Sequence, residues 1–151
     1  MCTFENIKAA IIENPFDYGF FNESLNHKKW MIIGENPGSD LSKDRESIGR
    51  ASENANELIN INADSLKRYL LQDRQRELWK CFTQKVKSNE WEDAQFEKYM
   101  MEEFLQDFYF TDASKWRSRR KPNEEDIGML AEEIDAVQPE SIFVFGKTAR
   151  E

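Results

Sequence analysis

Asn36 sits in the stretch Gly34-Glu35-Asn36-Pro37-Gly38, directly after the apolar run Trp30-Met31-Ile32-Ile33. A short amide between an acid and a Pro-Gly turn is suited to holding a ligand by backbone groups and one polar side chain. Gly38 has no Cβ and permits close backbone approach. Taken alone, Asn-Pro-Gly reads equally as a plain surface turn. Further along, Lys115, Arg117, Arg119, Arg120 and Lys121 cluster around Trp116 in the stretch KWRSRRK. Such a stripe can neutralise nucleic-acid phosphates; by itself it reads equally as a solvated charge run. A third polar position, Thr111-Asp112, closes the aromatic run Asp107 to Thr111, DFYFT.

These residues need elements to bring them together. Phe4, Ile7, Ala10 and Ile11 recur at helical spacing over residues 3–14. Asn14-Pro15 ends that helix, because the residue before proline is pushed out of the α region. An aromatic loop, FDYGFF, and a strand with WMII as its buried centre follow. Residues 40–54 are polar and contain Gly49, which predicts a loop over the strand end. Helical periodicity is read over 55–63 and 64–81, and again through Phe96, Tyr99, Met100 and Phe104. DFYFT is the second strand. Glu124 to Val137 reads as a helix with acids in its first turn, ended by Gln138-Pro139. SIFVF, Ser141 to Phe145, is the third strand, closed by Gly146.

Strands separated by helices, with apolar cores suited to burial on both faces, predict an α/β fold. The expected architecture is three-layer α/β/α with a short, mostly parallel central sheet, in a single domain over 1–151. In such sheets ligands sit beyond the carboxyl ends of the strands. Gly34-to-Gly38, Thr111-Asp112 and Gly146 therefore converge on one edge.

Composition narrows the function. With 39% hydrophobic residues, eleven Phe and four Trp, the chain is a folded domain rather than a disordered one. Two cysteines, Cys2 and Cys81, in no CxxC spacing, allow a structural disulfide but read more readily as reduced thiols of a cytoplasmic protein. Together with a lone histidine they are too few for a zinc site or an iron–sulfur cluster, so no metal and no cofactor are expected. No apolar run approaches the ~18 residues of a membrane span. A net charge of −8 argues against generic nucleic-acid binding and leaves the 115–121 stripe as the local exception.

At this point the residues carry a resemblance. IIGENPG at 32–38 is similar to the first motif of the uracil-DNA glycosylase superfamily, in which a buried strand delivers a G-x-[DNA]-P turn to a base pocket. FYFTD, the basic loop with its proline, the acidic helix and Pro139-Ile142-Gly146-Ala149 look like that family's later strands, in the family's order. The resemblance covers about residues 30–63 and 107–151. It implies an N-glycosidase that removes a deaminated or damaged base flipped out of DNA, as in base excision repair. Asn36 falls where family members position the attacking water, as in the mismatch-specific and single-strand-selective branches. The iron–sulfur branch has Ala there and the classical branch Asp. Gly34, Glu35, Pro37, Gly38 and Asp112 would then line the base pocket, and Lys115, Arg117, Arg119, Arg120 and Lys121 would hold phosphate. Phe16, Phe20 and Phe21 are candidates for stacking on the base.

Three departures from the family bear on activity. The family's Thr-Asn reads Thr111-Asp112 here; an ionised Asp only accepts hydrogen bonds, which would disfavour uracil. A capping Asp is the plainer reading of the same residue. The family's final His-Pro-Ser loop has no counterpart, since the one histidine, His27, precedes the first motif. The basic face is small. These departures keep open a non-catalytic member of the same fold that binds nucleotides, nucleic acid or a protein partner. They also predict an open edge beside SIFVF, covered by a homodimer or by further chain. A phosphate-loop domain is disfavoured, because Gly146-Lys147-Thr148 lacks the upstream glycine of that motif.

Overall fold

The computed structural model describes residues 4–38, 44–119 and 121–145. In chain order the elements are α1 (Phe4–Glu13), β1 (Trp30–Gly34), α2 (Arg45–Ala51), α3 (Ala55–Leu70), α4 (Asp73–Lys87), α5 (Asp93–Glu102), α6 (Phe104–Asp107), β2 (Phe108–Asp112), α7 (Glu124–Val137) and β3 (Ser141–Val144). The three strands form one parallel sheet in the order β2-β1-β3. Trp30 pairs with Phe108 and Ser141, and Gly34 with Asp112. All three strands thus point their carboxyl ends the same way.

Side chains alternate across a strand, and the sheet sorts its apolar residues accordingly. Met31, Ile33 and Tyr109 enter one cluster with Ile7 and Ile11 of α1, Leu58 and Ile59 of α3, and Met129 and Val137 of α7. Ile32, Phe108 and Phe110 enter the other with Trp79 of α4, Phe96 and Tyr99 of α5, and Phe104 of α6. Helices on both faces of the sheet make the expected three layers. Among the described residues β3 has no strand on its outer side, whereas the β2 edge is covered. On β2, the buried Asn22 amide donates to the Phe110 carbonyl at 2.7 Å and accepts from its N–H at 3.2 Å, in place of a further strand.

Some expectations are corrected. Residues 45–51 form a helix rather than a loop, because Ile48 and Ala51 lie three apart and both bury in the first cluster. The helix break comes not at Ala63-Asp64 but at Leu71-Gln72, since Asn62, Ala63, Leu66 and Leu70 continue one buried stripe. The strands are not all hidden on both faces. β2 is buried at all five positions, whereas Ile142 and Val144 of β3 are exposed. Among the described residues no strand pairs with β3 on its outer side. Gly146, Lys147, Thr148 and Ala149 lie outside the described residues. α7 spans the expected residues, and Asn123 and Asp126 cap it reciprocally at its start. Among the described residues no helix is long and apolar enough to cross a membrane.

Candidate active site

The 34–38 turn and the loop after β2 are tied together beyond the sheet. Ala113 N–H donates to the Gly34 carbonyl and Ser114 N–H to that of Glu35, each at 2.9 Å. Asn36 completes the attachment. Its Nδ2 donates to the carbonyls of Arg117 at 3.3 Å and Arg119 at 3.2 Å. Both amide hydrogens are thereby engaged on backbone, so Oδ1 is the atom through which this side chain can accept from a water or a substrate. The two carbonyls also require an amide at this position; a carboxylate would face them without a hydrogen to share.

A third segment locks the turn from behind. Gly19 N–H donates to the Lys115 carbonyl at 2.8 Å, and a Cβ on Gly19 would lie 2.2 Å from Pro37 Cγ. Gly19 is therefore glycine so that the Pro37 ring can pack against its backbone. We expect Gly19→Ala to cost ~1–3 kcal/mol by overpacking and to displace the turn that carries Asn36. Urea denaturation beside ligand binding checks both effects.

Gly34, Glu35, Asn36, Pro37, Gly38 and Asp112, six residues separated by up to 78 positions in sequence, line one cleft of about 440 Å³. Its other walls are Phe21, Leu66, Tyr69, Leu70, Gln75, Trp79, Phe110 and Phe145. That is a mainly apolar and aromatic enclosure with a few polar groups, the usual make-up of a small-molecule pocket. Of the three phenylalanines considered for stacking, Phe21 reaches the cleft. Phe20 is buried in the first cluster beside Phe4 and Tyr109, and Phe16 lies exposed under Arg45. Sequence reasoning missed the α3 and α4 walls. Trp79 reads as an ordinary helical anchor until the long crossover folds it across the strand ends.

Asp112 lies opposite Gly34 in the register, and its Oδ1 is 2.5 Å from where a Cβ on Gly34 would be. The carboxyl thus rests over the glycine, and the side chain is almost wholly enclosed, with Oδ2 buried and without a hydrogen-bond partner among the described residues. Burial pushes the Asp112 carboxyl up to about 7; Lys115 and Arg117 pull it down and Glu133 pushes it further up. The expectation of a plainly ionised, accept-only Asp112 is therefore corrected. Near neutrality it is divided between a carboxylate and an acid that can donate.

The basic stripe differs from its expectation as a phosphate-facing surface. Lys115 is 3% exposed, and its ammonium donates to Thr111 Oγ1 at 2.6 Å and to the Asp112 carbonyl at 2.7 Å. It also forms an ion pair with Glu133, which is fully buried and accepts from the Tyr109 hydroxyl at 2.6 Å. Arg117 is turned inward toward the Tyr18 carbonyl and Asn62 Oδ1, and burial lowers its affinity for its proton, which Asp112, Asp17 and Asp44 offset only in part. Arg119 pairs with Asp126 at 3.0 Å and lies over the Trp116 ring. Lys121 is exposed, and Arg120 lies outside the described residues. The stripe is mostly a structural clasp because α7 supplies acids on its inner side. His27 is at the other end of the sheet, where its Nδ1 lies 2.8 Å from the Val137 carbonyl.

The family model described as the uracil DNA glycosylase superfamily matches residues 21–151, a span that includes all three strands and every residue of the cleft. Neither the curated proteins nor the solved structures gave a match.

Proposed function

The chain belongs to the uracil DNA glycosylase superfamily, and on that premise we propose that it hydrolyses the N-glycosidic bond of a deaminated or damaged base in DNA. The observation that carries this reading is the fixed Asn36 amide at the rim of a base-sized aromatic cleft. A base extruded from the strand enters the cleft between the GENPG turn and the Trp79 wall, with Phe21 and Phe110 against it. The reaction builds positive charge on the sugar and negative charge on the leaving base. Asn36 Oδ1 accepts from the attacking water and holds it toward the anomeric carbon. The amide takes no proton at neutral pH, so the water proton leaves to solvent as the new C–O bond forms. Rate enhancement then rests on position and on stabilising the departing base, which makes for a slow enzyme. Lys121 is the exposed cation of the described loop that can meet a flanking phosphate.

The test is single-turnover cleavage of single-stranded and mismatched oligonucleotides carrying uracil, hypoxanthine or xanthine. Asn36→Ala should lower the rate by ~100-fold or more. Asn36→Asp should not rescue it, because the carboxylate would face the Arg117 and Arg119 carbonyls. A folded wild-type protein that cleaves none of these substrates overturns the proposal.

A further inference from the structure

We propose that Asp17, which is not among the residues lining the cleft, is a positioning residue for Asn36. Its carboxylate fixes the loop whose two carbonyls orient the Asn36 amide, and so sets where Oδ1 holds the water. The use made of that water rests on the glycosylase reading, whereas the aim of the amide is measurable without it.

Asn36 is aimed only as firmly as its acceptors are held. Arg117 and Arg119, which supply those carbonyls, stand between β2 and α7 and belong to neither element. The segment before β1 lies alongside them. Gly19 N–H, on the Lys115 carbonyl, and the Tyr18–Trp116 bridge secure the loop as far as Trp116. From there Asp17 takes over. Its backbone carbonyl accepts from the Arg117 N–H at 2.9 Å. Its Oδ1 accepts from the Ser118 N–H at 2.8 Å, and its Oδ2 from the Ser118 hydroxyl at 2.6 Å. One carboxylate thus grips, with both oxygens, the residue that stands between the two acceptors. Hydrogen bonds to an ionised acceptor are roughly twice as strong as neutral ones.

The loop is gripped from its inner side as well. Ser114, fully buried, donates its hydroxyl to the Arg119 carbonyl at 2.8 Å, the same oxygen that Asn36 Nδ2 meets at 3.2 Å. Asn36 Oδ1 and Nδ2 share one rigid amide plane, so a shifted acceptor turns the oxygen with it. Glycine at 38 keeps that oxygen uncrowded, since a Cβ there would lie 3.2 Å from Asn36 Oδ1. Asp17 also faces the Arg117 guanidinium as a charge. Asp17→Asn separates the two roles. It removes the charge but offers an oxygen to the Ser118 N–H and an amide hydrogen to the Ser118 hydroxyl, which can accept.

Nuclear magnetic resonance of the Asn36 side-chain amide in isotope-labelled protein, beside single-turnover cleavage and oligonucleotide affinity, tests the proposal. Asp17→Ala should speed exchange of the two amide hydrogens with solvent by ~10-fold or more. It should slow cleavage by ~10–100-fold while leaving oligonucleotide affinity nearly unchanged, the mark of misplacement rather than of a lost contact. Asp17→Asn should recover most of both losses. Ser118→Ala, which leaves one of the carboxylate's two bonds, should fall between. Lys80→Ala, which breaks the Lys80–Asp93 pair between α4 and α5, should move neither readout. Urea denaturation shows that each protein compared is folded; where Asp17→Ala does not fold, Ser118→Ala decides by the same readouts. Faster exchange that Asp17→Asn reverses, in a protein that cleaves nothing, upholds the positioning of Asn36 and removes the glycosylase reading. Equal exchange in folded wild type and Asp17→Ala overturns the proposal. So does faster exchange with an unchanged cleavage rate. An Asp17→Asn protein as impaired as Asp17→Ala also overturns it, because the charge and not the clasp would then be the cause.

Discussion

Lys115→Met is expected to lower the stability of this protein by ~3–5 kcal/mol, the range for removing one partner of a buried ion pair. Against a total of ~5–15 kcal/mol for an ordinary domain, that is a large part of what holds the fold. The cause is not the attraction lost but the charge left behind. Glu133 is fully buried, and without the ammonium its remaining hydrogen-bond partner among the described residues is the Tyr109 hydroxyl. Thr111 Oγ1 and the Asp112 carbonyl also lose a donor in the same step. A second substitution separates this account from simple loss of packing. Lys115→Met with Glu133→Gln removes both charges and leaves an amide oxygen for Tyr109, so most of the loss should be recovered. Urea denaturation of the three proteins at neutral pH decides it. A single-substitution loss under ~1 kcal/mol would mean that water reaches Glu133 and that the cluster is less enclosed than described.

The same residue marks where the sequence stops being legible. KWRSRRK names five cations but not the direction in which any of them points. Direction is decided by α7, whose buried stripe contains Met129, Glu133 and Val137 at intervals of four. A glutamate in the middle of an apolar stripe was the available signal that some cation must come inward, since a buried acid needs a partner. The stretches with strong local chemistry were the readable ones. Asn123 followed by acids, and Gln138 before Pro139, bracket α7, and the apolar runs of β1 and β2 read as strands buried on both faces. The GENPG turn and Asp112 were found as pocket residues because a parallel sheet brings strand ends together whatever lies between them. The opposite wall of the cleft was hidden. Leu66, Tyr69, Gln75 and Trp79 look like any amphipathic helix residues, and their position depends on the path of a crossover of several helices. Asp112 was read with its ordinary charge because sequence carries no information about burial on that scale.

That burial makes a second large effect measurable in the absence of any ligand. In the unfolded chain the Asp112 carboxyl loses its proton near 3.8, whereas in the folded protein it keeps it up to about 7. Between those limits the native state binds more protons than the unfolded state, so stability falls as pH rises and levels off above about 7. The slope attributable to this one group is ~1.4 kcal/mol per pH unit at its steepest. Asp112→Asn has no proton to hold. It should match the wild type near pH 4 and exceed it by on the order of 4 kcal/mol at pH 8. Thermal melts of the two proteins across that range give the comparison directly. Parallel curves would show that the carboxyl ionises in the fold as it does in the open chain, as a hydrated Asp112 would. Diverging curves would mean that the fold holds an acid where an amide is more stable.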